Sequence, residues 1–191
     1  MTKPERTVVA FGPDWMEQVV DWRAHYATDE SRMGLAIELA RQNVLHGTGG
    51  PFGAAVFESG SGALVAAGVN SVTRLQNSML HAEILAIMLA ESRVGSYTLL
   101  GPGLPHHELV TSCDPCAMCL GAVLWSGVRR LVTGADRADA SALDFDEGPV
   151  FPESYAYLEA RGVAVVRGVL RREAAAVMEL YRRQGGEIYN A

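Results

Sequence analysis

Apolar positions recur with two different periods along this chain, and the switch between them predicts its elements. Leu35, Leu39, Gln42 and His46 follow one face of a helix, with Ile37, Ala40 and Val44 on its flank. Ser31 stands where a cap is expected, and residues 47–51, rich in glycine, end the segment. Two short apolar runs follow, 54–57 and 64–67, separated by Ser59-Gly60-Ser61-Gly62, which reads as a hairpin turn. Ile84, Leu85, Met88 and Leu89 restore the helical period over about 81–92. Residues 108–112 predict a strand, and Pro115 suits the first turn of a helix carrying Leu120, Val123 and Leu124. Further strands are expected at 131–133 and 162–169, then a closing helix over 171–184 that Gly185-Gly186 stops. Upstream, Trp15, Val19 and Trp22 have the spacing of a short amphipathic helix.

Strands separated by helices predict an α/β fold with three layers, α/β/α, and exclude a solenoid or a β-sandwich. The expected organisation is an N-terminal extension over 1–30, one domain over 31–184 and a short tail over 185–191. The chain's 191 residues suffice for one sizeable core. Its formal charge of −6 gives no overall basic field to attract nucleic acid or an acidic membrane, so neither is an expected partner, and a small neutral substrate suits it better. The absence of a long apolar stretch and of a leader-like start points to a cytoplasmic protein. The three cysteines, Cys113, Cys116 and Cys119, lie within seven residues, which reads as metal ligation in a reducing compartment and not as a disulfide framework.

That cluster changes the picture when it is set beside His81-Ala82-Glu83. The two segments together read His-x-Glu and Pro-Cys-x-x-Cys, the signature of a catalytic zinc site in base deaminases. One imidazole and two thiolates hold Zn²⁺ and leave a fourth tetrahedral position for water. Cys116 and Cys119, three apart at a helix start, share one face, and the positive end of that helix favours thiolate. A metal held this way activates water for attack on an amidine-like ring carbon. Glu83 takes the water proton, passes it to a ring nitrogen and then protonates the departing amino group. Each half alone is common: His-x-Glu usually marks an exposed pair, and Cys-x-x-Cys serves redox and structural zinc sites equally. Cys113 is also within reach of a metal by spacing, although a buried strand-end thiol is the favoured reading.

On these motifs the chain resembles the cytidine-deaminase-like superfamily, and within it the bacterial guanine deaminases. The likeness runs from Gly34 to Asn190. It rests on Gly49-Gly50-Pro51-Phe52-Gly53, Asn70, His81-Ala82-Glu83, the run 111–122, Trp125 and Phe145-Asp146-Glu147. The resemblance implies a five-stranded mixed sheet between helices, with zinc on His81, Cys116 and Cys119. It implies Glu147 as a second acid, and Phe52, Asn70, Trp125 and Tyr189 around a free nucleobase, with Asn190 nearby. It also implies a homodimer whose tail, from Gly185, crosses to the partner's site. The expected reaction is guanine to xanthine and ammonia. Rival readings are a cytosine or dual deaminase, a guanosine or tRNA adenosine deaminase, and a non-catalytic, zinc-stabilised binding module. Trp125-Ser126-Gly127 and the acidic balance count against the tRNA reading.

Overall fold

The computed structural model describes residues 10–189. In chain order its elements are α1 (Met16–Val19), α2 (Asp29–Leu45), β1 (Gly53–Glu58), β2 (Leu64–Val69), α3 (Val72–Leu75) and α4 (Ala82–Val94). There follow β3 (His107–Cys113), α5 (Ala117–Ser126), β4 (Arg130–Ala135), α6 (Arg137–Ser141), α7 (Pro152–Ala160), β5 (Ala164–Val166) and α8 (Arg171–Arg183). The five strands form one mixed sheet in the order β2-β1-β3-β4-β5. The hairpin pair and β1/β3 are antiparallel, whereas β3/β4 and β4/β5 are parallel.

Strand alternation builds the layers. Ala54, Val56, Leu109 and Leu131 face Ala82, Ala86, Leu120, Val123 and Leu158, which belong to α4, α5 and α7. Their neighbours Ala55, Phe57, Val110 and Val132 face Met33, Ala36 and Leu39 of α2 on the other side. Ala174, Val177 and Met178 of α8 join Ala40 and Val44 of α2 to complete that layer. Each large side chain so buried contributes about 1.5–3 kcal/mol, and a one-residue slip of a strand would reverse both faces at once. Gly68 brings α4 especially close: a Cβ there would meet the Ala82 carbonyl and the Ala86 backbone. The start of α4 is thereby pinned against β2.

Two helix starts differ from expectation. Thr28, not Ser31, caps α2; Ser31 is its third residue and returns a hydrogen bond to the Thr28 backbone, completing a capping box. Pro115 lies outside α5, because Cys116 is the cap and the helix begins at Ala117. The segment around Trp15 forms only one turn, and Trp15, Met16 and Val20 pack into the core beneath α2.

At the opening of β3 and β4, Glu108 is fully buried and receives Arg32 and Arg130, each at 2.6 Å. Asp29 meets Arg130 at 2.6 Å. The opposite end of the same strands points toward the starts of α4 and α5. Among the described residues no helix is long and apolar enough to cross a membrane.

Candidate active site

His81 and Cys116 hold the same local position: each is the extended residue just before a helix, with φ,ψ of −68°, 162° and −66°, 173°. Neither side chain caps its helix, so both project past the helix ends. Cys119 lies one turn into α5 and is fully buried. The sheet closes the 35-residue gap, placing His81 Nδ1 3.5 Å from Cys116 Sγ and 3.6 Å from Cys119 Sγ. Among the described residues these three form the cluster whose donor atoms all lie within 4.8 Å of one another.

The donor set fits zinc. A tetrahedral ion about 2.3 Å from sulfur and about 2.0–2.1 Å from nitrogen separates those atoms by about 3.6 Å. Cys113 stays outside the cluster, its thiol directed to the Asp136 carbonyl at 3.8 Å, so the spacing-level alternative of a third sulfur is not realised.

The electrostatics favour metal binding and proton transfer together. Cys116 is driven to about 4, first by the hydrogen bond from Cys119 and then by His81, so it stands as thiolate. Cys119 is pushed well up by the same shared proton and by burial. Burial works against the His81 imidazolium, but the Cys116 hydrogen bond and neighbouring negative charges outweigh it. Glu83 lies in the first turn of α4 and is buried, which raises its carboxyl, as does the Cys116 charge. Glu147, on the loop between α6 and α7, is raised to about 7 by burial and then by Cys116 and Glu83. Its carbonyl accepts from Ala117 N–H at 3.0 Å, tying this loop to the start of α5.

These groups open on one cavity walled by Phe52, Asn70, Asp114, Phe145 and Tyr189. Phe145 meets Phe52 edge-on at 5.1 Å and Tyr189 at 5.2 Å. Asn70 is 1% exposed, and its Oδ1 accepts from Gly50 N–H at 3.4 Å and Val72 N–H at 3.3 Å. With both lone pairs committed, what Asn70 offers a ligand is its amide N–H₂, and not the donor-plus-acceptor edge expected from its residue type. Tyr189 reaches the cavity of its own chain; Asn190 lies outside the described residues.

Trp125 does not line this cavity, contrary to expectation. It stands in the last turn of α5 and is 80% exposed. Six residues beyond Cys119, its helical phase turns it away from the face that carries the sulfurs. Sequence reasoning also passed over Asp114. That side chain accepts from Thr133 Oγ1 at 2.6 Å and from the Arg167 guanidinium, a pairing across two strands that no local pattern announces.

Comparison with known proteins agrees with this architecture. Residues 26–135, which include all three donors, match the cytidine and deoxycytidylate deaminase zinc-binding region. The guanine deaminase of Bacillus subtilis (strain 168) is 37% identical over 124 residues, 65% of this chain and 75% of that protein. The solved structure of guanine deaminase from Nitrosomonas europaea is 43% identical, covers 95% of this chain and all of that one, and superposes with a TM-score of 0.89. A mutant protein solved in complex with 8-azaguanine is likewise 43% identical, over 96% of this chain and all of that one, with a TM-score of 0.90. The same five-stranded α/β architecture and the same zinc-binding region therefore place this chain in the cytidine and deoxycytidylate deaminase family.

Proposed function

We propose that the chain is a zinc-dependent aminohydrolase that converts guanine and water to xanthine and ammonia, with zinc on His81, Cys116 and Cys119. The observation that carries this reading is the convergence of three donors, the imidazole at tetrahedral spacing from both sulfurs, with two carboxyls in a cavity with an aromatic wall. When bound, zinc supplies Lewis-acid activation of water. Glu83, buried beside the donors, carries two protons in turn: it takes one from the attacking water to the ring nitrogen adjoining the attacked carbon, then takes the second from the hydroxyl left on that carbon to the departing amino group. Glu147, raised to about 7 by burial, is the second acid and assists that relay as the amino group departs. Phe52 stacks on the base, Asn70 donates to an acceptor on its edge, and Tyr189 closes the wall and excludes water. The similarity to guanine deaminases and to a protein that binds 8-azaguanine supports guanine over other bases.

The reading extends to a cytoplasmic homodimer, supported by three free thiols and by Trp125 and Tyr97, 80% and 91% exposed on adjoining segments. Light scattering on a sizing column tests the assembly. The activity is tested by ammonia release from zinc-loaded protein with guanine, cytosine, adenine, guanosine and cytidine. Guanine is expected to be turned over fastest. Cytosine as the best substrate would overturn the substrate assignment and keep the zinc chemistry; no release with any base would leave a zinc-stabilised binding module.

A further inference from the structure

Asn70 sits just past β2; Gly50 and Val72 hold its side chain, and Asn43 of α2 holds its carbonyl. Asn43, in the last turn of α2, is fully buried. An asparagine there is a poor helix residue, and burying its amide is costly unless every polar atom is matched. It is matched. Its Nδ2 donates to the Gly50 carbonyl at 2.9 Å and to the Asn70 carbonyl at 2.9 Å. Its Oδ1 accepts from Thr48 Oγ1 at 2.7 Å. Thr48 Oγ1 in turn accepts from Trp15 Nε1 at 3.0 Å.

The direction of this relay follows from chemistry. An indole N–H only donates, so the Thr48 hydroxyl receives Trp15 and turns its own proton to the nearer acceptor, Asn43 Oδ1 at 2.7 Å, and not to the Asn43 carbonyl at 3.4 Å. That fixes the amide's orientation and points Asn43 Nδ2 at both carbonyls. Trp15 is itself held, stacked on His46 at 5.4 Å with the ring planes 7° apart. The loop has no room to drift: a Cβ at Gly49 would overlap the Asn70 carbonyl and crowd Asn43 Nδ2. Gly50 then returns its N–H to Asn70 Oδ1 at 3.4 Å. Asn70 is thus gripped through its backbone by Asn43 and through its side chain by Gly50, which Asn43 also holds.

We propose that Asn43 is the positioning residue for base recognition, and that Trp15 and Thr48 orient it, making the N-terminal segment a determinant of base affinity. This rests on the reading of Asn70 as the base contact. None of the three residues touches the base, the metal donors or Glu83, so their effect falls on binding and not on chemistry.

The test compares Thr48→Val, Thr48→Ser and Asn43→Asp in the zinc-loaded full chain, by steady-state kinetics, zinc analysis and thermal melting. Thr48→Val keeps volume but strands Asn43 Oδ1; KM for guanine should rise about three- to tenfold, the effect of one lost hydrogen bond, with kcat within about twofold and zinc unchanged. Thr48→Ser restores the hydroxyl and should restore KM. Asn43→Asp sets an acceptor against two carbonyls, and KM should rise by about thirtyfold or more. If Asn43→Asp does not fold, the Val/Ser pair at Thr48 decides alone. Wild-type KM in Thr48→Val, with or without a lower melting temperature, overturns the proposal and leaves the network a structural brace. Measuring KM on whichever base is turned over fastest separates the two readings: guanine failing as the best base overturns only the substrate assignment, and an unmoved KM overturns only the relay.

Discussion

The two ends of β3 bury carboxylates in opposite ways. Where the strand begins, Glu108 is enclosed by Arg32 and Arg130, and Asp29 extends the ion pairs to the surface. Where it ends, Glu83 and Glu147 share a cavity whose lining contains no lysine or arginine. The first arrangement fixes charge and joins α2 to the sheet. In the second, burial and the Cys116 charge outweigh the opposing charges of His81 and Arg137, so both carboxyls are raised, Glu147 to about 7. Paired carboxylates make scaffold, and unpaired ones next to metal donors make chemistry.

The largest effect that would test this contrast comes from removing a donor. Cys116→Ser should bring bound zinc from stoichiometric to trace, measured by metal analysis, with ammonia release lost alongside. Retained zinc would mean the site closes without that sulfur. Next is Glu83→Gln, which keeps shape but cannot shuttle a proton: kcat should fall about a hundredfold or more while zinc content and melting temperature hold. Glu108→Ala reverses that pattern, leaving two guanidinium groups without their buried partner. It should cost about 3–5 kcal/mol in a denaturant titration while the folded fraction keeps its kcat. A variant that lost turnover without losing stability would dissolve the distinction between the two ends. Trp125→Ala should do least, with kcat and KM for guanine within about twofold, because the indole faces away from the cavity. A large rise in KM would return Trp125 to the site.

The legibility of the fold tracked how local each determinant is. The strand and helix assignments depended on periods of two and 3.6 residues, and they survive in the observed elements to within a few residues. Caps were less legible. Thr28 and Ser31 exchange reciprocal bonds, and either hydroxyl alone looks like a cap. The donor triad was readable because its chemistry restricts residue type and spacing together, and the structure brings the three side chains into one cluster. Trp125 was misplaced because resemblance carries a residue's identity along the chain but not its helical phase relative to Cys119. An asparagine side chain can both donate and accept; only the Gly50 and Val72 N–H groups reveal that the Asn70 oxygen is already engaged.

What the sequence determined by itself was the set of groups capable of the chemistry: an imidazole, two thiolates three residues apart and a carboxylate two residues from the imidazole. Those are matters of covalent identity and local helical geometry, and no tertiary contact is needed to state them. What only the tertiary structure decided was which polar atoms remain available once the chain has satisfied itself. Arg32 and Arg130 consume the charge of Glu108, Thr133 and Arg167 consume that of Asp114, and backbone N–H groups occupy the Asn70 oxygen. All of these pairings except that of Val72 with Asn70 join residues distant along the chain, and the cost of burying an unmatched polar group is what brings those partners together.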